Sequence, residues 1–106
     1  GLLVPINKDY LMIDLIKDFS TPVIIIARSG LGTINHTLLS LEALKIRNIT
    51  TLGVIMNGEI NQSNADAIEF YGKTKILAKF PFMDHINKNN LKKIPLSQNL
   101  QKIFGI

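Results

Sequence analysis

Three short runs of contiguous apolar residues constrain this chain more than anything else in it. Pro22 to Ala27, Thr50 to Met56 and Lys75 to Phe80 have the length of strands and show no regular polar alternation. Such runs mark strands covered on both faces, as in a parallel sheet. Between them the apolar period changes to that of a helix. Asp9 to Phe19 places Leu11, Met12, Leu15, Ile16 and Phe19 at helical spacing. Thr33 to Arg47 carries a stripe of Ile34, Leu38, Leu41 and Leu44. Asn64 to Tyr71 is a shorter helix with Ala65, Ile68 and Tyr71 inward, and Leu96 to Phe104 closes the chain with a last helical pattern. Strand and helix alternating through short joins predict βαβ units and an α/β fold, a parallel sheet with helices on its faces. Asn57-Gly58 would signal a hairpin in isolation, but the helical pattern after it removes that reading.

The chain has 106 residues, enough for one domain or a piece of one. Residue 1 is Gly, and it opens directly into Leu2-Leu3-Val4. We therefore expect residues 1–106 to be part of a single α/β domain rather than a whole enzyme. Hydrophobic residues make up 46% and charged residues 19%, with mean hydropathy +0.22, which excludes a disordered chain. No run approaches the ~18 apolar residues of a membrane span. There is no cysteine, so disulfide scaffolds, thiolate zinc sites and cysteine nucleophiles are excluded, and a cytoplasmic location is expected. The net charge of +4 includes two lysine groups, Lys73/Lys75/Lys79 and Lys88/Lys92/Lys93. Aromatic residues are not interleaved with them and arginine is scarce, so a solvated lysine-rich surface is favoured over nucleic-acid binding.

In open α/β sheets, ligands gather beyond the carboxyl ends of the strands. Three segments fall there: Arg28-Ser29-Gly30-Leu31-Gly32-Thr33, Asn57-Gly58-Glu59 and Pro81-Phe82-Met83. In the first, Gly30 and Gly32 precede a helix whose free N–H groups and dipole suit an anion, with Thr33 and Asn35 as added donors. The competing reading is a simple helix start with glycines for the turn. His36 follows and is read as neutral and structural. The loop is neither a dinucleotide fingerprint nor a G-x-x-x-x-G-K-[ST] phosphate loop, and the latter occurs nowhere in the chain. Asn57 offers the donor and acceptor that suit a purine edge, or is a turn residue after a strand. Pro81-Phe82-Met83 is either an apolar wall for a flat ring or plain closure of a strand. Glu59, Asp84 and His85 are too scattered for a metal site, and no Ser-His-Asp set can be assembled.

The segments Gly1 to Asn7, Met12 to Ile16, Pro22 to Leu39 and Leu52 to Gly58 resemble dethiobiotin synthetase. The run Leu31-Gly32-Thr33-Ile34-Asn35-His36-Thr37, ahead of a leucine-rich helix, is the most specific part. The resemblance extends to Met83 and is weak over the last twenty or so residues. It implies a P-loop-NTPase-like parallel sheet with helices on both faces, of which only the C-terminal part is present. It further implies an ATP- and Mg2+-dependent cyclo-ligase of biotin synthesis. There 7,8-diaminononanoate takes up CO2 as a carbamate, ATP phosphorylates it, and the second amine closes the ureido ring. A cytoplasmic homodimer with substrate sites at the subunit interface is implied, with no nucleic acid and no membrane.

By the same resemblance, Gly32, Thr33 and Asn35 match the helix start that holds the substrate carboxylate from the neighbouring subunit. Asn57 matches the residue that reads adenine, and Pro81, Phe82 and Met83 match the lining of the adenine pocket. Gly1 matches the last glycine of a nucleotide-side segment whose magnesium-binding glutamate would precede it. The phosphate loop, the phosphate-binding lysines and the magnesium carboxylates have no counterpart in residues 1–106, so the chain alone is expected to lack ligase activity. Tyr71 is out of register with a substrate-contacting tyrosine of the family. Two alternatives remain open. One is a related P-loop enzyme, of the cobyrinate amidotransferase type or a partitioning ATPase. The other is a non-catalytic gene remnant.

Overall fold

The computed structural model describes residues 1–106. Its centre is a three-stranded parallel sheet of β3 (Val23–Arg28), β4 (Thr51–Asn57) and β5 (Ile76–Phe80), ordered β3-β4-β5. The crossovers are α2 (Thr33–Ile46) and α3 (Gln62–Gly72). Ahead of the sheet stand a small antiparallel pair, β1 (Pro5–Asn7) and β2 (Tyr10–Leu11), and the helix α1 (Met12–Asp18). Two further helices, α4 (Lys88–Lys92) and α5 (Gln98–Phe104), complete the chain. The α/β parallel architecture expected from the apolar runs is therefore the one observed.

Alternate residues of β4 enter two separate cores, as the two-residue period of a strand requires. Val54 and Met56 join Ala27, Ala65 and Ile68, against which Ile34 and Leu41 of α2 pack. Ile55 joins Leu77, Ala78 and Leu100, with Ile103 of α5 alongside. One face of the sheet is thus covered by α2 and α3 and the other by α5. Ser97 fixes α5 in place. Its hydroxyl accepts the Leu100 N–H at 3.1 Å, an N-cap bond, and donates to the Leu77 carbonyl of β5.

The central strand β4 is buried on both faces, and on β5 the consecutive residues Leu77 and Ala78 are also buried. On β3, which lies at the sheet edge, Ile26 is 62% exposed. Its apolar run predicts two-sided burial, but α5 covers the β5 side of that face and does not cover Ile26.

Several boundaries differ from the sequence reading. Tyr10 and Leu11 form β2 instead of the first turn of a helix. The Asn7 side chain accepts the Asp9 N–H at 2.9 Å and closes the turn between β1 and β2. Helix α1 then starts at Met12, with the Asp14 carboxylate accepting the Leu11 N–H at 2.8 Å. Helix α3 begins two residues earlier than its apolar period, because Asn61 caps it by accepting the Asn64 N–H at 3.0 Å. Tyr71 does not point inward. It is 70% exposed, and Gly72 takes the inward place of the last turn. A Cβ on Gly72 would lie 2.7 Å from Leu41 Cδ1, so the inward stripe runs 65, 68, 72.

Candidate functional site

Parallel pairing sets the three candidate loops side by side. Arg28 of β3 is in register with Asn57 of β4, and Asn57 with Phe80 of β5. The strands therefore end level, and the loops at 29–32, 58–61 and 81–83 leave from one edge of the sheet.

The first loop turns into α2 through Gly32, whose φ of 86° is left-handed and suits a residue without a Cβ. No side chain caps this helix and its first turn contains no acidic residue. The Thr33 N–H reaches the Gly30 carbonyl at 3.2 Å and the His36 N–H reaches Gly32 at 3.0 Å. The N–H groups of Ile34 and Asn35 have no acceptor within the chain. Two free donors, a positive helix end and the exposed Arg28 preceding it suit a carboxylate or phosphate. Asn35 is exposed, with its carboxamide free of protein partners. Thr33 differs. Its side chain is buried, and its hydroxyl lies 3.3 Å from that of Thr37. Thr33 therefore faces the helix packing, not solvent. His36 is exposed and lies beside Gly32.

The second loop is pinned to the third. The Gly58 N–H donates to the Phe80 carbonyl at 2.8 Å. Asn57 is exposed at the strand end, with its carboxamide unengaged. Phe82 is 76% exposed, whereas Pro81 and Met83 are half-buried. An unengaged carboxamide beside an exposed aromatic segment fits a flat heteroaromatic ring. Gly1 is exposed in the segment ahead of β1, tied locally through the Val4 N–H to its carbonyl at 3.4 Å. No hydrogen bond joins it to the three loops.

Two residues to which the sequence assigns no role of their own organise this edge. The Asn64 side chain donates to the Ser29 carbonyl at 2.9 Å, linking α3 to the β3–α2 loop across 35 positions. Ser29 is buried beneath Gly58, where a Cβ would lie 2.8 Å from the Ser29 hydroxyl oxygen. An asparagine two residues into a helix was the available signal, but nothing local to it points to Ser29.

A concavity of about 760 Å³ lies at the opposite edge, between the ends of α2 and α3, with Leu41, Lys45, Thr51, Tyr71 and Lys73 among its lining. Tyr71 belongs to this groove and not to the loops. The carboxyl edge is favoured as the site because the free donors, the unengaged carboxamides and the strand ends converge there. No group of three or more histidine or acidic side chains is placed to hold a metal ion. No helix is long and apolar enough to cross a membrane.

Residues 1–90 match a family model described as an AAA domain. The chain is 57% identical over 104 residues to the ATP-dependent dethiobiotin synthetase BioD of Lawsonia intracellularis, covering 98% of this chain and 51% of that protein. It is 45% identical over 95 residues to the protein of that name from Paramagnetospirillum magneticum, covering 90% and 46%. It is 53% identical over 87 residues to the biotin biosynthesis bifunctional protein BioCD of Bordetella avium, covering 82% and 19%. The chain spans about half the length of the first two relatives or less. The similarity to the Lawsonia protein runs through the tail beyond residue 90, where the sequence resemblance is weak. The resemblance to dethiobiotin synthetase is thus shared with relatives that carry that name, and the chain belongs to the AAA-domain family.

Proposed function

We propose that this chain serves biotin biosynthesis as part of an ATP-dependent dethiobiotin synthetase. In this reading the free N–H groups of Ile34 and Asn35 and the Asn35 carboxamide, with Gly32 and Thr33, receive the carboxylate of 7,8-diaminononanoate. Thr33 contributes through its backbone, since its hydroxyl is turned to Thr37. Asn57 pairs with the adenine edge of ATP, and Pro81, Phe82 and Met83 line the ring. Gly1 belongs to the nucleotide side. The working enzyme is a cytoplasmic homodimer that uses Mg2+. The observation that carries the reading is the register Arg28–Asn57–Phe80, which sets the loop with the free amides beside the strand end that carries the unengaged Asn57 carboxamide. The names of the relatives supply the reaction class.

The chemistry of ring closure needs the diamine held by its distant carboxylate while its amines meet CO2 and then the phosphorylated carbamate. A carboxylate anchored at a helix N-terminus fixes the chain end without touching the reacting nitrogens. The adenine contacts orient ATP from its base, away from the transferred phosphoryl group. Both contributions are positioning, which is most of what phosphoryl transfer asks of a protein.

The two subsites make opposite predictions in isothermal titration. Asn35→Ala should weaken diaminononanoate binding about tenfold, the scale of one charge-assisted hydrogen bond, and spare the nucleotide. Asn57→Ala should do the reverse. Equal loss of both ligands in either variant would contradict the assignment.

A further inference from the structure

We infer that Asn64 is a positioning residue that locks the anion-facing loop after β3 to the ring-facing loop after β4. The inference rests on the assignment of those loops to two subsites. Its physical content is a connection visible without any ligand.

The Asn64 amide reaches the Ser29 carbonyl at 2.9 Å from a half-buried position in the first turn of α3. That turn is itself fixed. Asn61 accepts the Asn64 N–H at 3.0 Å, and Gln62 bridges onward, donating to Asp66 at 2.6 Å and accepting from Lys79 of β5. Asn64 is therefore anchored from both sides before it reaches across. At the other end, the held carbonyl immediately precedes Gly30, the most permissive stretch of the loop. Neither Gly30 nor Gly32 has a side chain to brake its motion. A Cβ placed on Gly30 would meet nothing within 4 Å. Apart from its own bonds into the first turn of α2, the loop has one hydrogen bond to another element, and Asn64 supplies it.

The packing of Gly58 over Ser29 closes the unit. A Cβ at Gly58 would fall 2.8 Å from the Ser29 hydroxyl oxygen, so Gly58 lies directly on the residue that Asn64 holds. Gly58 is in turn bonded to Phe80 at 2.8 Å. The donors of Ile34 and Asn35 are consequently set relative to Asn57 through Ser29, Asn64 and Gly58. Preorganised donors bind an anion without first losing loop entropy.

The test is 15N relaxation on the full 106-residue chain without ligand, comparing wild type with Asn64→Ala and Asn64→Asp. Alanine keeps the backbone N–H that Asn61 caps. Aspartate keeps the shape but replaces the donor with an acceptor. In wild type, Gly30 to Gly32 should show rigid order parameters near 0.85, and both variants should bring them below about 0.6. The amides of β4 and of α3 beyond Ala65 should remain unchanged. Equal order parameters in all three proteins, or a loss spread evenly over α3 and β4, would overturn the inference. A second readout needs no variant: the Asn64 side-chain amide should show a through-bond coupling to the Ser29 carbonyl, and its absence would also overturn it. Adenosine and 7,8-diaminononanoate are then added to wild type. Failure of both to bind would count against the subsite assignment, and the relaxation result would still decide the role of Asn64.

Discussion

The Tyr10 phenol shows how a single side chain reports on local structure here. Its hydroxyl donates to the Asp18 carboxylate, tying β2 to the end of α1. That bond, with lesser help from desolvation and from the negative charges of Asp18 and Asp14, pushes the phenol up to about 12. A raised acid pKa means the fold prefers the protonated phenol. The tie is therefore fully present below about pH 10 and is lost as pH rises through 12. Ultraviolet titration of a Tyr71→Phe variant, which leaves Tyr10 as the sole phenol, should give a midpoint near 12. A midpoint near the ordinary value of 10 would show that the Asp18 bond does not persist in solution. At the candidate site the same scale was only partly legible in the sequence. Gly32, Asn35 and Asn57 stand where their types and spacing point. Thr33 does not, because a hydroxyl at the start of α2 can turn to Thr37 one turn on. Asn64 was missed because its partner lies 35 positions away, and side-chain bonds to distant main chain leave no period to read.

At the scale of elements, legibility followed burial and length. The β3, β4 and β5 segments were visible because each is an apolar run, and α2 because Ile34, Leu38, Leu41 and Leu44 recur on one stripe. The pair β1–β2 was not, being three and two residues long, with Leu11 falling by chance on the helical period of α1. The five-residue α4, with no buried residue, has no apolar stripe to show. The last helix matters more than its length suggests. Leu100 is 4% exposed and joins Ile55, Leu77 and Ala78 in the core on the face opposite α2 and α3. Leu100→Ala should cost about 2–4 kcal/mol in urea unfolding. Ser97→Ala, which removes the cap and its bond to β5, should cost about 1 kcal/mol. A Leu100→Ala loss under about 0.5 kcal/mol would show that α5 is not docked there.

For the whole molecule, the Cα radius of gyration of 14.7 Å exceeds the roughly 13 Å of a compact chain of this length. Leu3, Val4, Ile26, Leu31 and Phe82 are all about half exposed or more. The positioning loops are present at the carboxyl edge, but residues 1–106 contain neither a G-x-x-x-x-G-K-[ST] loop nor a group of metal-binding side chains. The purified chain should therefore form no dethiobiotin from diaminononanoate, CO2 and ATP, and measurable ATP-dependent turnover would contradict this. The central claim is that the carboxyl edge of the sheet, and not the groove by Tyr71, receives the ligand. Amide shift mapping of the full chain with adenosine tests it most directly. Shifts at Asn57, Gly58, Phe82 and Met83 are predicted, with Tyr71 to Thr74 unmoved. Shifts confined to Tyr71 to Thr74 and the end of α2, or none at saturating adenosine, would contradict it.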